Sequence, residues 1–455
     1  MKHYATYSRS DDCFSSNCPD TFVKGSGCHV TAEDGREFID WGMALRACIL
    51  GYAYKPVDDA AKKAIDNGVC FTRSNPYEGE LKELLKSIIP CAEEVKLGKN
   101  GSDVTHAAVK LARAYTGRDL VLIAKENPFI STADFFIGTT LVDGGIPCED
   151  SETVEHYSYN TLTDITHPRE IYFSPNNKYE ITQIEWLCKA YRPAAIVLDP
   201  STVDITREKL QHIRNICDKY GIIMILDEVI SGFRYGIGGV QGLYGVNPDL
   251  CTLGKAMGNG YAVSALCGKK ELFDLGLRDK GNVFLLSGTY FSNTPDIAAA
   301  IACVKELQKT EFYNGYNDYP KDAVDCINQI GRFIVRGINE TILKYNTQLS
   351  DGTYLSQHIK IKCHGNESIG IIEGANPSIS FSSMALKTLF DQVMIQEGIL
   401  MPYIAPSASH TDKEVNRTIE AVEIALMACK AALNNNYVKE SLINGHCEKP
   451  VFRRT

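Results

Sequence analysis

Residues 221–268 read GIIMILDEVISGFRYGIGGVQGLYGVNPDLCTLGKAMGNGYAVSALCG, and two features of this stretch decide the fold. The first is GIIMILDEV, an apolar run closed by a carboxylate, Asp227. A run of this length without polar alternation is a strand buried on both faces. The helical segment LQHIRNICDKYG precedes it, and a second helix-then-strand unit ends at Asp199 in AAIVLDP. This alternation predicts an α/β domain with a largely parallel sheet. The second feature is Lys255, which has no charged neighbour between Asp249 and Lys269.

A lysine among small and apolar residues has two readings. It can sit in the first turn of a surface helix with its head in water. Alternatively, desolvation drives it towards the neutral amine, a nucleophile suited to carbonyl chemistry. Asp227 and Asp199 fall at the carboxyl ends of strands, where open α/β sheets bind ligands. A strand-end aspartate can equally cap a turn, and for Asp199 both readings stand. In KNGSDVTHAAVKLARAYTG, Asn100, Gly101 and Ser102 lead directly into an amphipathic helix ending at Gly117. Such a start is either a simple cap or an anion cradle of free N–H groups and a hydroxyl. Nucleophilic lysine, strand-end carboxylate and phosphate cradle together are what is needed to hold pyridoxal phosphate.

The chain has 455 residues, more than one core usually serves, so two or more domains are expected. Its net charge of -9 argues against nucleic acid or an anionic membrane as main partner. No apolar run is long enough to span a bilayer, and the first residues carry no signal-like apolar segment, so a cytoplasmic location is expected. The 16 cysteines are scattered without zinc spacing. They are expected to be mostly reduced and buried, and no metal site is expected.

The order of patterns divides the chain. Residues 1–55, with the hairpin-like EDGREFIDW, are expected to pack with a small domain; 56–312 form the large domain; 313–455 form a smaller α+β domain. The last contains a long helix, DAVDCINQIGRFIVRGINETILKY, the strand-like HIKIKCHG and PSISFSS, and two further helices.

The stretch LDEVISGFRYGIGGVQGLYGVNPDLCTLGKAMGNGYAVSALCG, with EDGREFID, NGSDVTHAAVKLARAYTGR, SGTYFSNTPDIAAA and SHTDKEVNRTIEA, resembles the class III pyridoxal-phosphate aminotransferases. The resemblance extends over most of the chain and is closest to the glutamate-1-semialdehyde aminomutase branch. It implies the fold-type-I transferase architecture, with Lys255 as Schiff-base lysine and Asp227 on the pyridine nitrogen. It further implies that Val229 packs beneath the ring and that Gly101 and Ser102 form the phosphate loop. Phe129 falls where the family usually stacks a tyrosine on the ring, and Ile130 replaces the histidine after it. Gly288 and Thr289 match a turn that reaches the phosphate from the neighbouring subunit, which implies a homodimer.

The departures bear on substrate. Thr21 aligns best with the arginine that binds the substrate carboxylate in aminomutases, a charge-assisted anchor worth roughly 1.5 to 3 kcal/mol. Asp199 replaces a usual glutamate. Arg46 and Arg73 appear where aminomutases have uncharged residues, and each is a candidate substrate-binding cation or a structural ion-pair partner. The expected activity is transfer of an amino group from an amino donor to a ketone or aldehyde, in nucleotide-sugar, surface-polysaccharide or natural-product synthesis. Lys255 would then move the proton between substrate and coenzyme. An intramolecular aminomutase and a non-catalytic coenzyme-binding protein are the alternatives.

Overall fold

The computed structural model describes residues 9–124, 170–173, 180–201, 205–281, 283–310, 322–363, 375–434 and 443–449. It divides into two compact units, Lys55–Gln308 and a second formed by Met1–Tyr54 with Lys309–Thr455.

The chain opens with strands β1 (Phe22–Ser26), β2 (His29–Ala32) and β3 (Glu37–Asp40), a meander in which each neighbour pairs antiparallel. The predicted hairpin at EDGREFIDW is the β2–β3 turn. After β3 the chain makes a left-handed turn. Met43, Ala44, Leu45 and Arg46 have φ of 42°, 49°, 59° and 69°, and none is glycine. A left-handed conformation costs an L-residue about 1–2 kcal/mol, so this turn is strained.

The Lys55–Gln308 unit carries helices α1 (Lys55–Asp66) and α2 (Pro76–Ile88), then β4 (Glu94–Gly98), α3 (Gly101–Thr116), β5 (Val121–Ala124), β6 (Glu170–Phe173) and α4 (Glu180–Tyr191). Next come β7 (Ala195–Leu198), α5 (Arg207–Tyr220), β8 (Ile223–Glu228), β9 (Leu250–Leu253), β10 (Ser264–Gly268) and α6 (Thr294–Leu307). The strands form a sheet in the order β4-β10-β9-β8-β7-β5-β6. Its pairs from β9 to β6 are parallel, whereas β10 runs antiparallel to both β9 and β4. This is the largely parallel α/β sheet expected from the helix–strand alternation, in the fold-type-I architecture that the resemblance implies. The two runs that read as buried strands, β7 and β8, are buried at every position, and so is β9.

Local signals set the helix ends. Asn75 and Glu78 form a capping box at α2, with Pro76 in the first turn. Thr206 accepts from Lys209 N–H at the start of α5. Gly117 and Gly221 close α3 and α5 with φ of 65° and 60°, a conformation glycine adopts without a Cβ penalty. Beneath the sheet, α3 buries Val104, Ala108, Val109 and Leu111 against Val121, Val197, Ile225 and Leu266.

The second unit continues with α7 (Ala323–Lys344), β11 (Ile359–Cys363), β12 (Pro377–Phe381), α8 (Met384–Gln396), β13 (Ile399–Leu400) and α9 (Asp412–Asn434). β13 joins β3 in parallel, and β11 pairs β12 antiparallel. Ile334 and Ile338 of α7, Phe390 of α8 and Leu426 of α9 share one core with Trp41. The Trp41 indole N–H donates to Thr418 Oγ1, and its ring stacks on His410 at 4.1 Å. Most of the described cysteines are buried. No helix among the described residues is long and apolar enough to cross a membrane.

Candidate active site

The charges flanking the lone lysine are used elsewhere. Asp249 is buried, and its carboxylate takes Lys269 Nζ at 2.5 Å and Arg214 Nη1 at 2.8 Å. Burial pushes the Asp249 carboxyl up, but Arg214, Lys269 and the Met224 N–H outweigh it and hold the group below its ordinary value. The acid and base at the two ends of the stretch therefore neutralise each other and leave Lys255 between them. Lys255 is half-buried and opens a 3-10 turn, Lys255–Gly258, with φ of 39°. It is thus not in the first turn of an exposed α-helix. Cys303 of α6 donates its S–H to the Ala256 carbonyl at 3.3 Å and braces the turn from behind.

Asp227 stands in the adjacent strand, 3 % exposed. Its Oδ1 accepts from the Val229 N–H at 3.1 Å and from Thr252 Oγ1 at 2.8 Å. Burial pushes its carboxyl up and the charge of Asp199 pushes it further, while Thr252, Val229 and Lys255 act in the opposite direction. Asp199 follows β7, and its Oδ1 accepts from the backbone N–H and the hydroxyl of Ser201. It therefore both caps its own turn and adds negative charge beside Asp227, so the two readings of Asp199 are compatible.

Val229 is the hub of the site. A Cβ on Gly101 would lie 2.9 Å from Val229 Cγ1, and a Cβ on Gly254, the residue before Lys255, would lie 3.4 Å from the same atom. The start of α3, the Asp227 turn and the Lys255 turn thus meet around one side chain. Asp103 prepares the helix start by accepting from the Lys99 and Asn100 N–H groups through one oxygen, Oδ2. Ser264 of β10 donates to the Asn100 carbonyl at 2.9 Å, tying this loop to the antiparallel strand.

These residues fit pyridoxal phosphate. A buried carboxylate whose ionised form is disfavoured by burial and by a second carboxylate gains from a cationic ring N–H. A helix N-terminus opening on Gly101 and Ser102 suits a dianion. Glycines on both sides of Val229 leave a surface a flat ring can approach.

The remaining expected positions lie elsewhere. Phe129 and Ile130 fall outside the described residues. Gly288, Thr289 and Arg73 are exposed on the Lys55–Gln308 unit, and Cys70 donates its S–H to the Thr289 carbonyl at 3.2 Å. Arg46 belongs to the other unit, where its Nε donates to Asn376 Oδ1 at 3.1 Å and its guanidinium lies 4.3 Å from the centre of the Tyr403 ring. Thr21, also in that unit, is exposed. Sequence reading missed Thr252 and Ser264, because a hydroxyl inside an apolar strand carries no signal until the strand's neighbour is known. It also gave no sign that Cys28, His29 and Glu414 come together, with their ligand atoms within 4.8 Å of one another. His29 Nε2 lies 3.3 Å from Glu414 Oε1, while Glu414 Oε2 accepts from the Thr411 N–H at 3.0 Å and from its hydroxyl. This is a capped helix start with a histidine partner.

Known proteins resemble this chain in sequence and in fold. The class-III aminotransferase family profile matches residues 14–333. A glutamate-1-semialdehyde 2,1-aminomutase of Fusobacterium nucleatum is 30% identical over 413 residues, covering 88% of this chain and 88% of its own. A 3-aminobutyryl-CoA aminotransferase of Cloacimonas acidaminovorans is 36% identical over 299 residues, 64% of this chain and 66% of that protein. Among solved structures, the PLP form of the FumI protein from Sphingopyxis sp. MTA144 superposes with a TM-score of 0.75 at 21% identity, covering 96% of this chain and 95% of that one.

Proposed function

Because the chain belongs to the class-III aminotransferase family, and is accordingly a pyridoxal-phosphate-dependent enzyme, we propose that it moves an amino group from a separate amino donor to a ketone or aldehyde acceptor. The relatives carry both an aminomutase and an aminotransferase name, so the choice rests on this chain's own residues. The observation that carries it is Thr21. By the family resemblance, this exposed, neutral residue falls where aminomutases carry the arginine that anchors the carboxylate. A threonine cannot form the bidentate pair an arginine gives a carboxylate.

Pyridoxal phosphate, when bound, supplies the electron sink that eases proton removal from the amine-bearing carbon. Lys255 carries that proton, first as base and then as acid, from a turn braced by Cys303. Asp227 keeps a proton on the ring nitrogen by charge pairing. The N–H groups at Gly101 and Ser102 hold the phosphate, and Val229 supports the ring face.

The working unit in this reading is a homodimer, in which Gly288 and Thr289 complete the neighbouring subunit's phosphate site. Its support is the exposure of large apolar side chains on the same unit: Phe284 at 74%, Tyr290 at 67% and Phe71 at 48%. Such side chains suit an interface.

Donor dependence tests the activity. Purified enzyme is offered a panel of ketones and aldehydes with and without amino acids or amines as donors. Product formation that requires the external donor is expected. Conversion of glutamate-1-semialdehyde at full rate without one would establish the aminomutase instead.

A further inference from the structure

Both described hydrogen bonds to Asp227 fall on one oxygen, Oδ1. The Val229 donor is a backbone N–H, which belongs to the turn whatever the side chain. The Thr252 hydroxyl is a different matter. β9 reads Leu250-Cys251-Thr252-Leu253, is buried at every position, and Thr252 itself is 0% exposed. A hydroxyl in such a strand costs free energy unless it is hydrogen-bonded, and valine would fill the same volume without that cost. The parallel register pairs Asp227 with Thr252, which sets the hydroxyl 2.8 Å from Oδ1. With Oδ1 occupied twice, the carboxylate cannot rotate without breaking a buried bond.

We propose that Thr252 is a positioning residue that acts through Asp227, holding the carboxylate in one rotation and in its anionic form so that Oδ2 meets the ring nitrogen of the coenzyme. This rests on Asp227 being the ring-nitrogen partner. Among the described residues, the charged groups facing Asp227 are Asp199 from the end of β7, which opposes ionisation, and Lys255 from the turn after β9, which favours it. Thr252 adds to the favourable side a neutral donor to the charged oxygen.

The test compares retention of pyridoxal phosphate by wild type, Thr252→Val, Thr252→Ser and Asp227→Asn, each across a pH series, with circular dichroism reporting the fold. Thr252→Val is expected to weaken retention about tenfold or more, the effect of losing one hydrogen bond to a charged group. Retention needs ionised Asp227 and fails as pH falls through its pKa; losing the hydroxyl raises that pKa, so the acid-side loss should move to higher pH. Thr252→Ser keeps the hydroxyl and should behave as wild type. In an Asp227→Asn background, Thr252→Val should add little, because the two act as one unit. Wild-type retention and pH profile in Thr252→Val would overturn the proposal, as would a Thr252→Ser enzyme as poor as Thr252→Val. Serine at this site also decides the matter if the valine variant does not fold. Undiminished retention in Asp227→Asn would overturn the role of Asp227 itself, a result distinct from failure of Thr252 alone.

Discussion

Val229 occupies the space that a side chain at Gly101 would need. A Cβ there would stand 2.9 Å from Val229 Cγ1 and 3.1 Å from Cγ2. The start of α3 and the Val229 side chain are therefore fitted to each other. Gly101→Ala must push one of them aside, an overpacking cost of about 1–3 kcal/mol. It is expected to weaken coenzyme retention about tenfold while far-ultraviolet dichroism stays native. Adding Val229→Ala should recover part of the loss. A single variant with undiminished retention would show that the helix start can yield without disturbing the phosphate.

Arg46 is the candidate cation for an acidic substrate. Stacking on Tyr403 and the bond to Asn376 fix the plane of its guanidinium. Lysine keeps the charge but loses both the plane and the fork. Arg46→Lys is therefore expected to raise KM for the acidic substrate about tenfold, about 1.4 kcal/mol, with coenzyme retention unchanged. Loss of folded protein would make Arg46 structural, and unchanged kinetics would pass the role to Arg73.

The left-handed turn at Met43–Arg46 stores strain that glycine can release. Ala44, with φ of 49° and ψ of 54°, is the position where least side chain is lost. Ala44→Gly should stabilise the protein by a few tenths to about 1 kcal/mol, the relief of about 1–2 less glycine's greater entropy loss. Denaturant melts of the two proteins measure this. A destabilised variant would mean that the Ala44 methyl contributes more through packing than the turn costs.

Glu414 gives a stability signature at low pH. The bond from His29 is the largest influence on its carboxyl, and with the Thr411 donors it outweighs burial and holds the pKa down to about 2. A carboxylate depressed in the folded state stabilises above its unfolded pKa of about 4.3 and loses that contribution as pH falls towards 2. Glu414→Gln should accordingly have a lower melting temperature than wild type near pH 6, with the gap narrowing between about pH 4.3 and 2. A gap independent of pH would assign the effect to packing alone.

What the sequence made legible was whatever depends on near neighbours. The unbroken apolar runs before Asp199 and Asp227 read as buried strands because both faces are covered, and β7 and β8 are buried throughout. The isolation of Lys255 was visible as a gap in charge. The hydroxyl of Thr252 was not legible, since its meaning lies in a register with Asp227, 25 positions earlier in the chain. Nor was the turn at Met43–Arg46. Met, Ala, Leu and Arg favour right-handed helix, so a left-handed path there is imposed by tertiary packing against local preference.

The antiparallel strand β10 also governs when the site can exist. β4 lies at the sheet's edge with β10 as its neighbour, and Ser264 fastens the Asn100 loop across 164 positions of chain. During synthesis β4 leaves the ribosome long before β10 and must wait as an open edge, exposed to mispairing. The Asn100 loop is anchored only when β10 arrives, just after the Lys255 turn has itself been made. In the proposed site, capture of the coenzyme would thereby be deferred until the lysine is present, and a nascent chain stalled before β10 should neither bind pyridoxal phosphate nor escape aggregation.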